Sequence, residues 1–345
     1  QEWVLMKLAS TFLVLITLLS ITSCSSIFSG NGPLPLTFEE RELVKRAPML
    51  LSVPNITINN SNKKVKYYIA AFDGTDNDKF NINSNKERKT IVAYLYDKLK
   101  ENGLDGNYYP GPGTQGMLTG RADAARCFSC VQKAEAALLD LKDKINEDWN
   151  EKPNFEFRVI VLGFSRGAAI GRHFMNLISD NFQTSLSIDN YQSAFPLVRT
   201  TGILYDTVAT GAIDDLNLEM STSTDFLMHI ISKDETRALF PLVKDFDADF
   251  FAMPIGYSTL KLRKCPRAEI KASRRLLQIE FPGAHSDVGS SYYDGIGTYY
   301  RVFGEIALIR LGLTTKDTFK IDKKFFIRRN KRNRKSKKEY FNTIF

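Results

Sequence analysis

The sequence predicts an α/β fold in which a mostly parallel central sheet carries helices on both faces. Residues 157–162 form an apolar, β-branched run that is typical of a buried strand. Residues 168–178 carry apolar side chains at helical spacing, and a tight glycine-containing turn separates the two segments. Further short apolar runs with the composition of strands lie at 66–72, 201–205 and 274–281.

The first 24 residues have the pattern of an export signal. Lys7 precedes an apolar stretch over 8–19, which is too short to span a bilayer comfortably. Small residues then lead to Cys24, as in the lipobox at which bacterial lipoproteins are cleaved and lipidated. We therefore expect a lipid-anchored protein of the bacterial cell envelope, in the periplasm or at the outer membrane. An ordinary cleaved signal peptide is the alternative.

The rest of the chain divides by composition. Residues 25–63 are rich in Ser, Asn, Pro and Gly and predict a tether with a loosely attached leader. Residues 64–320 are long enough for one α/β domain, and 321–345 form a basic tail. The formal net charge is +8, and the excess lies in 320–338, where Asp322 is the only carboxylate. This tail is either merely solvated or attracted to anionic lipid headgroups. The predicted export signal argues against nucleic acid as a partner.

The strand over 66–72 runs directly into Asp73, Gly74 and Thr75. Groups at the carboxyl end of such a strand lie where α/β folds bind ligands. The amides of Gly74 or Thr75 are placed to donate to an oxyanion, and an ordinary strand-ending turn is the alternative. A haloacid-dehalogenase-type phosphatase, which uses D-x-D-G-T, is disfavoured because Ala71 replaces its nucleophilic aspartate.

Helices are predicted over 86–99 and 121–149, and the second contains Cys127 and Cys130 near its start. A C-x-x-C spacing suggests redox chemistry or zinc binding. Besides this pair and Cys24 of the export signal, Cys265 is the only cysteine, so neither a redox partner motif nor a complete zinc ligand set is present. A local disulfide fits an oxidising compartment, and we predict no metal site.

The turn after the strand over 157–162 reads Gly163-Phe164-Ser165-Arg166-Gly167, the G-x-S-x-G pattern of a nucleophile elbow. A sharp turn there would lift the serine hydroxyl clear of the sheet. The two glycines lie where a side chain would collide with the neighbouring strand or helix. The Arg166 amide would begin the helix and could donate to an oxyanion. Strand, elbow and helix in this order are typical of an α/β hydrolase, and an incidental serine in a glycine-rich turn is the alternative.

Residues 214–264 are less regular and mixed in polarity. We predict that they form a cap or insertion beside the site, between the strands over 201–205 and 274–281. A helix over 303–311 closes the domain.

A nucleophilic serine needs a base, and elimination among the three histidines selects one. His173 lies in the helix after the elbow and is expected to point away from the site. His229 lies in an apolar run that is typical of a packed histidine. His285 follows a strand and lies in a loop, as a general base does in this kind of site.

The base in turn needs an orienting acid. Asp206 directly follows a strand and lies between Ser165 and His285, which is the chain order of α/β hydrolases. Asp287 is the alternative acid, and its other expected role is to tie its own loop through backbone hydrogen bonds. Asp73 is a further supporting carboxylate.

With these residues in place, the chain resembles the catalytic domain of the type VI secretion phospholipase effectors of the first lipase group, long catalogued as a domain of unknown function. The similarity extends from about residue 66 to residue 303. The matching segments are FDGTDND, YYPGPGTQG, VLGFSRGAA, LYDTVATG, KDETRALF and FPGAHSDVGSSY. The resemblance implies an α/β-hydrolase fold, a triad of Ser165, Asp206 and His285, and esterase or phospholipase activity without a cofactor.

We therefore expect a serine hydrolase that cleaves acyl esters, with phospholipids as substrate and membrane contact through Cys24 and the basic tail. A non-catalytic envelope lipoprotein with an immunity, decoy or scaffold role is the alternative, and the intact triad candidates favour catalysis. The chain departs from the family at Ala209, Ser290 and Ser291, where glycines are usual.

Overall fold

The structure, a computed structural model, describes residues 34–58, 64–82, 87–151, 155–182, 197–235, 237, 240–245, 257–260, 275–293, 295–314 and 328–329. The helices in these ranges are α1 (Phe38–Leu50), α2 (Ile91–Glu101), α3 (Met117–Arg126), α4 (Cys130–Glu151), α5 (Arg166–Asn181), α6 (His285–Val288) and α7 (Gly297–Arg310). The strands are β1 (Leu34–Pro35), β2 (Lys64–Phe72), β3 (Asp105–Tyr109), β4 (Phe155–Phe164), β5 (Leu197–Tyr205), β6 (Thr224–Ser232), β7 (Tyr257–Leu260), β8 (Leu276–Phe281) and β9 (Arg328–Arg329).

Within the described ranges, seven strands form one sheet in the order β3-β2-β4-β5-β6-β8-β7. Each neighbouring pair in this sheet is parallel. Parallel neighbours need crossover connections, and helices supply several of them here. The predicted α/β class with a mostly parallel sheet is confirmed. The short strands β1 and β9 pair with each other, antiparallel.

Helices cover both faces of the sheet. Successive residues of a strand point to opposite sides, so each central strand packs against both layers of helices. In β2, Ile69 and Ala71 pack in the layer that contains α1, α2 and α7. Ala70 and Phe72 pack in the layer that contains α4 and α5. The central strands are thus buried on both sides, which explains their continuous apolar runs.

The direction of winding reverses between the neighbouring strands β2 and β4. The chain leaves β2 towards β3 on one side and leaves β4 towards β5 on the other. The loops that follow these strands therefore separate and leave a crevice at their carboxyl ends, where open α/β sheets bind ligands. Asp73 follows β2 and Ser165 follows β4, so both lie at this crevice.

Part of the predicted leader belongs to the core. Helix α1 begins after the N-cap Thr37, whose side chain and backbone take part in a capping box. Val44 and Ala47, three residues apart on one face of α1, are almost fully buried in the layer with α7. Leu51, the residue that follows the helix, is buried in the same layer. The expectation of a loosely attached leader is therefore wrong over 36–58, because its few apolar residues are spaced to form one packing face.

The helix predicted over 121–149 is two helices. Cys127 ends α3 in the left-handed region, with φ 55°, and forms a disulfide with Cys130, the first residue of α4. Helical spacing of apolar residues continues across this break, so the pattern alone could not show it.

The cap predicted over 214–264 is wrong for Thr224–Ser232, which is the strand β6 between β5 and β8. Its sequence, TDFLMHIIS, has polar ends and a central histidine that obscure a buried strand. Residues 240–245 do lie beside the site, where the Val243 amide donates to the Thr207 carbonyl over 2.9 Å.

The predicted signal over 1–24 with its Cys24, residue Cys265, and most of the basic tail over 321–345 lie outside the described residues. No helix in the described ranges is long and apolar enough to cross a bilayer. The same ranges contain no group of three or more His, Cys, Asp or Glu side chains placed to hold a metal ion.

Leu51→Ala tests the packing of the leader. We expect it to lower the free energy of unfolding by about 2–5 kcal/mol, because a buried leucine is replaced by a cavity. Met49→Ala is the control, since Met49 is 67% exposed, and it should change stability by less than about 0.5 kcal/mol. Urea unfolding followed by circular dichroism measures both. Equally small effects would show that this segment is not part of the folded core.

Candidate active site

Ser165 has a backbone conformation that few residues adopt, with φ 57° and ψ −127° between β4 and α5. The chain is close on both sides of this turn. A Cβ at Gly163 would lie 2.6 Å from Ala168 Cα, and a Cβ at Gly167 would lie 2.2 Å from the Phe72 carbonyl oxygen. Both positions therefore require glycine, for the steric reason that the G-x-S-x-G spacing predicts.

The structure brings His285 and Asp206 together. His285 Nδ1 lies 2.6 Å from Asp206 Oδ2, and both side chains are buried. Asp206 follows β5, and His285 follows β8 at the start of α6, so both stand at the carboxyl edge of the sheet. An ionised carboxylate only accepts hydrogen bonds, so Nδ1 carries the proton and Nε2 remains as the basic nitrogen.

The Asp206 carboxylate is held by Ser232, a residue that the sequence analysis missed. Ser232 ends β6 and donates its backbone N–H to Oδ1 over 2.6 Å and its hydroxyl to Oδ2 over 2.8 Å. The Asp206 amide donates to the Ile230 carbonyl of the same strand. With the histidine, these bonds satisfy and orient a buried carboxylate. Ser232 could not be predicted from the sequence, because the polar ends and central histidine of β6 conceal the strand that places it.

Aromatic rings place the imidazole against the elbow. Phe164, the residue before Ser165, stacks on the His285 ring with centroids 4.6 Å apart, and Phe240 meets the ring edge-on at 4.9 Å. Among the described contacts, Ser165 Oγ and His285 Nε2 are not joined by a hydrogen bond; the ring is bonded through Nδ1. Catalytic hydrogen bonds are often long before substrate binds, so this geometry is compatible with a nucleophile and its base.

A second carboxylate supports the histidine through its backbone. Glu235 Oε2 accepts the His285 N–H over 3.2 Å, and the Arg237 guanidinium binds both Glu235 oxygens. Burial alone would raise the pKa of Glu235, but the hydrogen bonds and charge of Arg237 outweigh it and lower that pKa. Arg237 also lies 3.7 Å above the Phe240 ring. This role could not be predicted from the sequence, because the mixed polarity of 214–264 indicates a cap and not a segment bonded to His285.

Asp287 holds its own loop. Its Oδ2 accepts the Ala284 N–H over 3.0 Å at the start of α6. Gly283 precedes this turn with φ 113°, and a Cβ there would lie 2.8 Å from Asp287 Cβ. The Asp206 carboxylate, in contrast, is hydrogen-bonded to the imidazole of His285.

Backbone amides lie on two sides of Ser165. Arg166 is the first residue of α5, so its amide is at the positive end of the helix dipole. Gly74 lies against the serine, since a Cβ there would be 3.1 Å from Ser165 Cβ. However, the Gly74 amide donates to Asp73 Oδ1 over 2.8 Å, whereas the Thr75 amide has no acceptor among the described residues. Arg166 and Thr75 are therefore the stronger oxyanion candidates, and Gly74 is the weaker one.

Asp73 is a buried carboxylate that organises the loop after β2. Besides the Gly74 amide, the hydroxyls of Thr90 and Tyr108 donate to its Oδ2 over 2.8 and 2.6 Å. Burial raises the pKa of Asp73 to about 6, against the opposing effect of these three hydrogen bonds. Asp73 thereby ties the loop that carries Thr75 to β3 and to the start of α2.

The other two histidines form hydrogen bonds that connect parts of the fold. His229 Nδ1 lies 2.8 Å from Asp245 Oδ2, its Nε2 lies 2.9 Å from Thr207 Oγ1, and Arg172 binds both Asp245 oxygens. Burial lowers the pKa of His229. This chain of hydroxyl, imidazole and carboxylate is enclosed, so a substrate cannot reach Thr207. His173 Nδ1 accepts a backbone N–H after β5.

No family model and no curated protein matches this chain. Among solved structures, an uncharacterized protein from Pseudomonas aeruginosa is similar, with a TM-score of 0.46 and 18% identity over 79% of this chain and 49% of that one. The Tle1 effector bound to the VgrG spike from the type 6 secretion system has a TM-score of 0.40 and 19% identity, over 71% and 56%. An iodinated complex of acetyl xylan esterase has a TM-score of 0.26 and 9% identity, over 73% and 97%. The chain thus spans about half the length of the first two.

Asp73→Asn should change the pH dependence of stability. Burial raises the pKa of Asp73 from its usual value of 3.8 to about 6 in the folded protein. The folded state therefore binds this proton more tightly than the unfolded state does, and stability falls as pH rises through that window. The variant lacks this titration. Its stability relative to the wild type should therefore rise by up to about 3 kcal/mol between about pH 4 and about pH 7.

Urea unfolding of both proteins across this pH range measures the difference. Asp143→Asn, at an exposed position of α4, is the control and should follow the wild type. A difference between Asp73→Asn and the wild type that does not change with pH would contradict the raised pKa.

Proposed function

We propose that the protein is a serine hydrolase that cleaves acyl esters with Ser165, His285 and Asp206. The observation that carries the proposal is the 2.6 Å contact between His285 Nδ1 and Asp206 Oδ2 beside a strained serine at the carboxyl edge of the sheet. Acyl transfer needs a nucleophile, a base and a group that orients the base, and these three side chains provide them.

In the first half of the reaction, Ser165 Oγ attacks the carbonyl carbon of the ester while His285 Nε2 takes the hydroxyl proton. Asp206, already bonded to Nδ1, stabilises the imidazolium that forms. The carbonyl oxygen becomes an oxyanion, to which the amides of Arg166 and Thr75 donate. The ester C–O bond then breaks, His285 returns the proton to the departing alcohol, and the acyl group remains on the serine.

In the second half, His285 removes a proton from water, and the resulting hydroxide attacks the acyl-enzyme carbonyl. Collapse of this second tetrahedral species releases the carboxylic acid, and His285 returns the proton to Ser165. Atoms and electron pairs balance with ester and water alone.

We further propose phospholipids as the substrate class and the bacterial envelope as the place of action. The six segments that resemble the phospholipase effectors support the substrate class, and the predicted lipid anchor at Cys24 supports the location. Vesicles of position-labelled phospholipid, compared with short-chain p-nitrophenyl esters in solution, test the substrate class. Release of labelled fatty acid is expected, and hydrolysis of the soluble esters alone would restrict the function to that of an esterase.

Three substitutions test the triad. Ser165→Ala should lower kcat by about five to six orders of magnitude. Asp206→Asn should lower kcat by about 10⁴-fold, because an amide in place of the carboxylate stabilises the wrong histidine tautomer. Asp287→Asn is the matched control and should alter loop stability with a far smaller effect on kcat. Steady-state hydrolysis of p-nitrophenyl butyrate measures all three, and circular dichroism verifies folding.

A larger kcat loss in Asp287→Asn than in Asp206→Asn would show that the acid is misassigned. A folded wild-type protein that hydrolyses no ester would instead favour the non-catalytic lipoprotein.

A further inference from the structure

The Arg166 side chain joins three segments around the site. Its Nη1 donates to Thr75 Oγ1 over 2.8 Å and to the Ala124 carbonyl over 2.7 Å. Its Nε donates to the Thr210 carbonyl over 2.8 Å, and its Nη2 donates to the Ala125 carbonyl over 3.3 Å. These acceptors belong to the loop after β2, the end of α3 and the loop after β5.

The acceptors lie next to groups that the proposed reaction uses. Thr75 carries the amide assigned to the oxyanion, and Thr210 lies four residues after Asp206. Ala124 and Ala125 are in the last turn of α3, where carbonyl oxygens have no helical partner and the helix dipole is negative. A guanidinium is therefore bound favourably at this helix end.

The end of α3 is a firm support for this contact. Asp123 accepts the backbone N–H and the hydroxyl of Ser129 over 2.7 and 2.6 Å, which closes the turn after α3. The disulfide closes the same turn. The guanidinium thus connects the loop that carries Thr75 to a helix end that is held by both the Asp123–Ser129 hydrogen bonds and the disulfide.

Four acceptors around one planar group suit arginine and not lysine. A guanidinium presents five N–H donors in a rigid plane and stays charged, whereas an ammonium is a compact charge on a flexible stem. A lysine at position 166 could bind one or two of these oxygens but not all three segments together.

We propose that the Arg166 side chain is a positioning residue for the oxyanion hole: through the Thr75 hydroxyl it holds the Thr75 amide beside Ser165. This inference rests on the proposed hydrolase function and adds a role distinct from that of the Arg166 amide, which every substitution at 166 except proline preserves. An oxyanion donor acts in the transition state, so its loss lowers kcat more than it changes KM.

Arg166→Met removes the guanidinium and keeps an apolar stem, and Arg166→Lys keeps the charge. Both should lower kcat between about 10-fold and about 10³-fold, because displacing an oxyanion donor costs at most as much as losing it, which is about 10²-fold to 10³-fold. KM should stay within about threefold of the wild type. Arg199→Met is the matched control. Arg199 pairs with Asp225 near the start of β5 and β6, away from the carboxyl edge, and its variant should keep the wild-type kcat.

A double-mutant cycle tests whether Arg166 acts through Thr75. Thr75→Val removes the hydroxyl with little change of shape and should lower kcat, whereas Thr75→Ser restores the hydroxyl and should retain most of the activity. The double variant Arg166→Met/Thr75→Val should lose little more than Arg166→Met alone, because both changes break the same contact. Additive losses would contradict the coupling.

An alkyl trifluoromethyl ketone, which forms a tetrahedral oxyanion on a serine, provides an independent readout. Its inhibition constant should rise in Arg166→Met by about the factor by which kcat falls. Wild-type kcat in folded Arg166→Met, or a change in KM alone, would overturn this inference and leave the proposed function standing.

If Arg166→Met does not fold, the comparison of Thr75→Val with Thr75→Ser tests the inference instead. Equal kcat for Thr75→Val and the wild type would overturn it. A folded wild-type protein without Ser165-dependent hydrolysis would overturn both this inference and the proposed function.

Discussion

The close approach of backbone around the β4–α5 turn is the constraint on which the site depends. Gly163 is pressed against α5 and Gly167 against the carbonyl end of β2, so the turn closes only with glycine at both positions. The Ser165 amide donates to the Tyr205 carbonyl over 3.0 Å, and the Val208 amide donates to the Ser165 carbonyl over 3.2 Å. The same turn that strains the serine is therefore bonded to the residues on both sides of Asp206. The long parallel pairing of β4 with β2 and β5 keeps it from relaxing.

Support for the other two triad candidates comes from β6 and the segment after it. Ser232 orients the Asp206 carboxylate, and Glu235 holds the backbone of His285. Phe240 packs on the histidine ring, with Arg237 on its outer side. A buried carboxylate is costly unless it is paired and hydrogen-bonded, and both carboxylates here are. The arrangement favours one geometry of the imidazole, which is what acyl transfer requires.

Most of the fold and the site candidates could be predicted because their signals are local. Ser165 has its strand, glycines and helix within one stretch, and Asp206 and His285 each follow a short apolar strand. The partners of these residues could not be predicted, because contacts such as Ser232 with Asp206 depend on which strands are neighbours. Strand β6 was itself concealed, because His229 interrupts its apolar run. The polar atoms of this histidine find their partners, Asp245 and Thr207, only in the folded structure.

Two further differences have similar causes. The left-handed Cys127 that separates α3 from α4 leaves the helical spacing of apolar residues unchanged. Helix α1 lies in a segment whose composition is typical of a tether, and it is held by a few well-spaced apolar residues against α7. In both cases one or two residues decide the structure, and composition averaged over a segment does not register them.

Covalent labelling of the nucleophile tests the central claim most directly. A fluorophosphonate reacts with a serine only where a base activates it and an oxyanion site accepts the product. Intact mass followed by peptide mapping of the treated wild-type protein should show one adduct on Ser165, which is absent in His285→Ala. An adduct on another serine, or unmodified Ser165 in folded protein after prolonged exposure, would contradict the account.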